Sequence, residues 1–297
     1  MKKVFFIMMF IVFARPDVSI AAYARDYIPL PAGSNLFCVY YDHVSANNLY
    51  QRGNKIGSDF NQRANIGLIR YVHYLNAGNA LYGEGGFTID PQFIIPLVDI
   101  NLSGDYEAFN NDREFSTSGL GDPIVLATFW FINAPEQKFW VGFTPWVTLP
   151  LGEYNKNRLA SPGGNRWVVK PEIGIVKGLG EKAYLDLILG GEFYTDNNKF
   201  AGNNKLKQDP ALLAEVHLSY DITKNYAIAL DYYYAHGGET KINGVKQDDR
   251  KSNHAVGATF FFMIGGNNQL LFSYREDVSV RSGPKASTFG LRWAHIF

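Results

Sequence analysis

From about residue 35 onward the chain alternates between two textures. Stretches of about ten residues place apolar side chains at every second position, and polar stretches rich in Gly, Asn and Asp separate them. A period of two is the repeat of a β-strand with unlike faces. In 225–236, Tyr226, Ile228, Leu230, Tyr232 and Tyr234 share one face, while Ala227, Ala229, Asp231 and Tyr233 share the other. In 183–194, Leu185, Leu187, Leu189 and Phe193 oppose Tyr184, Asp186, Gly190 and Glu192. The same reading predicts strands near 35–44, 64–75, 79–98, 119–132, 137–149, 166–177, 182–194, 209–221, 225–236, 252–263, 268–280 and 286–297.

The links carry as much information as the strands. Short ones, such as 133–136 and 178–181, alternate with long polar ones near 45–63, 99–118, 150–165, 195–208 and 237–251; the last outer link, 281–285, is short again. Short turns at one end and long loops at the other are the pattern of an outer-membrane barrel. A bilayer core offers no water to backbone amides, so strands cross it only as a closed barrel. Tyr226 and the Tyr232/Tyr234 pair edge Ile228 and Leu230 as an interfacial girdle does. The final strand repeats the theme: Phe289, Leu291, Trp293, His295 and Phe297 alternate up to the last residue. Such an ending resembles the insertion signal of outer-membrane barrels, carried here by Phe289, Leu291, Trp293 and Phe297, with His295 in a place more often aromatic or aliphatic. The expectation is an all-β, single-domain, transmembrane antiparallel barrel of about 12 strands.

The amino terminus sets the compartment. Lys2 and Lys3 precede an apolar run from Val4 to Phe13, and Ala22-Tyr23-Ala24 supplies a small-x-small cleavage pattern. The run is too short to span a bilayer, which needs about 20 residues. Residues 1–24 therefore read as a secretory signal cut after Ala24, residues 25–34 as a periplasmic lead-in too short to be a folded plug but able to lie in or below the lumen, and 35–297 as the barrel, in the outer membrane of a Gram-negative bacterium. Composition agrees. Aromatics make up 15% of the chain and charged residues only 19%, against about 25% charged in an ordinary soluble domain. With 28 basic and 28 acidic residues the net charge is zero, which excludes the concentrated basic surface of a nucleic-acid binder. The lone Cys38 excludes a disulfide framework or a Cys-based metal cluster. No cofactor or metal is expected: the acidic stretch 99–114 matches no calcium-loop spacing, and the His residues have no metal-ligand spacing.

A charge facing lipid at mid-depth costs about 2–4 kcal/mol for Arg or Lys, so the charged face of each strand must turn inward. That assigns Lys170, Glu172, Asp186, Glu192, Glu215 and His217 to the lumen, followed by Asp231, Arg275, Asp277 and Arg292. Such charges either form a selective path or pair with one another and fill a narrow barrel; twelve strands lie between the filled and the water-filled sizes. Trp140, Trp146, Tyr184 and Tyr233 share that inner face and either stack on a flat solute or simply occlude it. In the third strand Gly83, Gly85 and Gly86 precede Asp90-Pro91. Glycine weakens a strand and proline removes a ladder donor, so these residues mark either a lateral opening in the wall or a β-bulge. His217 and Ser219 stand two apart on one face, as a base and nucleophile do, but parity turns them to the lumen and spacing places no third group.

Several stretches together resemble a known family: Gly119-Leu120-Gly121-Asp122-Pro123 with Phe129-Trp130, Asn165-Arg166-Trp167, Gln208-Asp209-Pro210, His217 to Asp221, and His236-Gly237-Gly238-Glu239-Thr240 with Gln247-Asp248-Asp249. They resemble the outer-membrane transporters associated with the meta-cleavage pathway of phenol degradation, across about 35–297. The resemblance implies a non-enzymatic barrel for passive uptake of small hydrophobic or aromatic compounds. Its partners would be those solutes, outer-membrane lipids and the barrel-assembly machinery, with no nucleic acid. A structural or surface-interaction barrel without transport is the alternative, and a barrel lipid hydrolase a more distant one.

Overall fold

In the computed structural model, which describes residues 21–57, 59–107, 115–158 and 160–297, twelve antiparallel strands close into a barrel. They are β1 Asn35–Gln51, β2 Phe60–His73, β3 Thr88–Gly104, β4 Ile124–Ala134, β5 Phe139–Thr148, β6 Val168–Leu179, β7 Ala183–Tyr194, β8 Ala211–Asp221, β9 Tyr226–Gly237, β10 Lys251–Ile264, β11 Asn268–Ser279 and β12 Gly283–Ile296. Each pairs with its neighbours in sequence, and β12 closes on β1 from Leu36↔Ile296 to Tyr50↔Gly283. Asn35 and Phe297 exchange backbone hydrogen bonds at 2.8 and 3.0 Å, so the final residue is tied to the start of the first strand. Residues 1–20 of the expected signal lie outside the described residues.

Parity holds around the wall. Val39, Tyr41, Leu187, Leu189, Leu218, Leu230 and Phe272 are exposed on the outer face, while Tyr40, Asp186, His217, Asp231 and Leu271 are buried on the inner one. The outer aromatics form a belt: Tyr226 stacks on Phe260 with their rings 18° apart. At the end of β12 the His295 ring is stacked between Trp293 and Phe297, and its Nδ1 lies 2.9 Å from Asn268 Oδ1. The histidine thus takes the place of an aromatic while keeping a polar partner.

Two expectations are corrected. The third strand begins at Thr88, not at 79, because Gly83, Gly85 and Gly86 form a turn folded beneath β4. The Asn133 amide donates to the Gly85 and Gly86 carbonyls at 2.9 and 3.1 Å, and the Gly85 amide donates to the Asn133 carbonyl at 2.8 Å. Gly83 has φ of 100°, and a Cβ there would lie 2.3 Å from the Asn133 carbonyl oxygen, so the glycines serve a close approach between segments. Pro91 opens no gap either: it pairs with Ala127, and the β2–β3 ladder starts one residue later at Val72↔Gln92. The wall is interrupted elsewhere. A segment Phe115–Leu120 continues β4 upward against β3, and Gly121–Pro123 breaks the two apart. Asp122 holds the next outer loop onto that break, accepting from the amides of Gly152 at 2.9 Å and Gly164 at 2.6 Å.

The long outer loops are less loose than their polarity suggests. Asn197–Phe200, Asn204–Gln208, Thr240–Ile242 and Val245–Lys246 form a separate four-stranded sheet over a small core of Phe200, Leu206 and Ile242. Asp249 anchors it, accepting from the Thr240 amide and hydroxyl at 2.7 and 2.6 Å. Burial pushes the Asp249 carboxyl up from its ordinary value. The exposed Asp196 is held down by its hydrogen bond to Lys205, 2.8 Å away.

Candidate functional site

The inner face carries every side chain that parity sends there, and it divides into three levels. The lowest is occupied by the segment that precedes β1. Residues 21–30 run inside the barrel, the lumen placement that the short lead-in left open. Tyr27 is buried and its hydroxyl lies 2.9 Å from both Thr144 Oγ1 and Glu172 Oε1. Its ring sits directly on Gly174, where a Cβ would come within 2.2 Å of it, and its carbonyl accepts from Trp130 Nε1 at 2.9 Å. Arg25 reaches the other side: its guanidinium pairs with Asp221 at 2.6 Å, donates to Ser219 Oγ at 2.8 Å, and lies 4.2 Å above the Tyr184 ring. Its amide donates to Asp186 Oδ2 at 2.5 Å. Asp26 pairs with Arg292 at 2.9 Å.

The middle level is a paired network. Lys170 and Glu172 pair at 2.9 Å with both side chains buried, and Glu172 also accepts from Trp146 Nε1 at 3.2 Å. His217 Nδ1 faces Asp231 at 2.7 Å and its Nε2 faces Glu215 at 3.4 Å. Asp231 accepts a second bond from Thr259 at 2.7 Å. Buried ions are tolerated only when paired and hydrogen-bonded; Lys170–Glu172 and Glu215–His217 pair along β6 and β8, while His217–Asp231 joins β8 to β9 and helps fix their register. Ser219 is bonded to Arg25 rather than to His217, which leaves the serine without a base and removes the geometric ground for hydrolysis.

The upper level is an open cavity of about 390 Å³ among the outer loops. Its walls are unlike. On β1, β3 and β4 the lining is apolar, with Val44, Ala46, Val98, Ile100 and Ile124; on β7, β8, β9 and β11 it is Glu192, Glu215, Tyr233, Arg275 and Asp277. The Arg275 guanidinium stands 5.3 Å above the Tyr233 ring. Of the expected aromatic platforms, Tyr233 alone among the four lines this cavity. Trp140 packs against Tyr184 at 6.5 Å, and Lys170 Nζ lies 4.2 Å from the Trp146 ring. Parity marks the charged half of the lumen by its cost in lipid; the apolar half carries no such mark, although Ile94, Val98, Ile100 and Leu102 alternate in the sequence. Among the described residues no cluster of three or more His, Cys, Asp or Glu side chains is arranged to hold a metal ion.

Comparison with known proteins agrees with this architecture. The family described as "Putative MetA-pathway of phenol degradation" matches residues 46–293. An outer membrane channel from Pseudomonas putida F1, known by crystal structure, is 30% identical over 93% of this chain and all of its own, with a TM-score of 0.86. The transport unit of the Escherichia coli autotransporter AIDA-I shares the fold at 9% identity and a TM-score of 0.54, covering 97% of this chain and 96% of its own. The β domain of the Bordetella autotransporter BrkA does so at 11% and 0.51, over 90% of this chain and 100% of its own. No curated protein matches.

Proposed function

Since the chain belongs to the family described as "Putative MetA-pathway of phenol degradation", we propose that this outer-membrane channel passes small aromatic compounds passively from the medium toward the periplasm. The observation that carries the reading is the two-sided outer cavity. A wall of Val98, Ile100 and Ile124 accepts an apolar ring, while Tyr233, Arg275 and Glu192 opposite it offer hydrogen bonds to a polar substituent. A sugar would leave the apolar wall unused, and a long alkane would leave buried polar groups without partners. The related Pseudomonas protein is itself a channel, and no step of the reading requires a cofactor. Secretion with cleavage of residues 1–24, and insertion directed by Phe297 through the barrel-assembly machinery, belong to the same reading.

Current recorded across planar bilayers tests it. The reading predicts ion-conducting channels whose current p-cresol, added on the loop side, reduces reversibly, with no response to an equal concentration of sucrose. The filled lower lumen favours a second reading, a sealed barrel of structural use, and that barrel carries no current at all.

A further inference from the structure

Tyr23 places a phenol inside the lumen. Its ring packs between the inner-wall cluster around Tyr40 and Leu68 and the cluster of Ala229, Phe261 and Leu271. Its hydroxyl accepts from Ser273 Oγ at 3.4 Å, and the Arg292 guanidinium stands 5.1 Å from the ring centroid. Gly290 makes the room: a Cβ there would lie 2.4 Å from Ser273 Oγ, 2.7 Å from Asp42 Oδ1 and 3.1 Å from the Tyr23 hydroxyl. Apolar walls on both faces, a cation beside the ring and a hydroxyl donor at its tip are what recognition of a monocyclic phenol requires.

The position matters as much as the chemistry. Ala21 lines the outer cavity of about 390 Å³. Ala24, Arg25 and Asp26 line a second cavity of about 150 Å³ beside Lys224 and Asn225 of a short turn at the opposite end. Residues 22 and 23 therefore stand between the two cavities. They also lie inside the small-x-small stretch Ala22-Tyr23-Ala24, where the sequence places signal cleavage. Arg25 has φ of 70°, a conformation that costs a non-glycine residue strain and that no longer exists once the Ala24–Arg25 bond is hydrolysed. The new amino group, with three protons in place of one, would stand at Asp186, whose Oδ2 lies 2.5 Å from the Arg25 nitrogen and whose buried Oδ1 has no hydrogen-bond partner among the described residues.

We propose that in the chain cleaved after Ala24 a solute takes the place that Tyr23 holds here: the seat of its side chain, framed by Ser273, Gly290, Arg292 and Asp42, is a binding subsite for monocyclic phenols on the path between the two cavities. The proposal rests on the aromatic-channel reading and names its preferred substrate class. A phenol hydroxyl accepts from Ser273 and has the Asp42 carboxylate near it as an acceptor, whereas toluene offers neither bond and the benzoate anion meets the Asp42 charge.

Intact mass of the protein purified from outer membranes comes first. A chain starting at Arg25 is expected, and one retaining Tyr23 overturns the proposal. Fluorine NMR of 4-fluorophenol with the purified protein in detergent should then show saturable binding, with fluorotoluene weaker by about tenfold, the worth of one hydrogen bond. Ser273→Phe fills the seat and should abolish saturable binding in a barrel that still shows heat-modifiable migration. Ser273→Ala, the milder change, should bring the two probes to similar affinity. Absence of saturable binding to the processed protein, or binding unchanged in both variants, overturns the subsite. Block of channel current by p-cresol is scored separately: block without saturable binding at Ser273 defeats the subsite alone, and no block by any aromatic defeats the channel reading.

Discussion

His217 shows what a single side chain does in this lumen. It stands between Asp231 at 2.7 Å and Glu215 at 3.4 Å, and the three residues come from β8 and β9. Replacing it with leucine leaves two carboxylates facing each other in a buried place. Breaking such a set costs about 3–5 kcal/mol, so His217→Leu should lower the urea midpoint of the detergent-solubilised barrel clearly, and an unchanged midpoint would show that the network is not structural. On the opposite face the cost has another origin. Leu230 is exposed on the outer wall, where an arginine loses about 2–4 kcal/mol to lipid. Leu230→Arg should therefore reduce the fraction folded in lipid vesicles while leaving folding in short-chain detergent nearly unaltered. Both residues were legible from parity, because a one-residue step changes the face of a strand and nothing else has that period.

At the scale of elements, the strands were readable and the partners of the inner segment were not. Period-two alternation located most wall strands to within a few residues; the first runs on to Gln51 where a loop was expected from 45, the fourth starts at Ile124 rather than 119, and in the third Gly83, Gly85 and Gly86 continued an apparent strand that is a turn. The turn depends on the Asn133 side chain, 47 residues from Gly86, and no local pattern announces it. The contacts of the lumen segment escaped for the same reason on a larger scale. Arg25 finds Asp221 and Asp186, and Asp26 finds Arg292, across separations of 196, 161 and 266 residues. The signal that was available is the unusual Gly174 in β6, an inward position left bare for the Tyr27 ring. Gly174→Val should expel Tyr27 and loosen residues 25–30 from the wall. Single-channel recordings should then show a conductance several-fold above that of the unaltered protein; an equal conductance would mean that this segment does not limit the path.

The whole molecule combines an apolar belt for lipid, a lower lumen narrowed by its own chain, and an upper cavity with one apolar and one polar wall. Inner charges occur mostly as partners, as in Lys170–Glu172 and Asp26–Arg292, not as a field that attracts ions of one sign. Selection must then come from the unlike walls of the cavity, which the sequence held in the alternation of β3 and β9 but which needed the closed register to bring them face to face. The account stands most directly on uptake by whole cells, because lipopolysaccharide slows aromatic solutes that a phospholipid bilayer would pass unaided. Radiolabelled p-cresol and lactose, at low micromolar concentration, should be supplied to cells with and without this protein in their outer membrane. The account predicts several-fold faster p-cresol accumulation with the protein and no change for lactose; equal acceleration of both, or of neither, would contradict it.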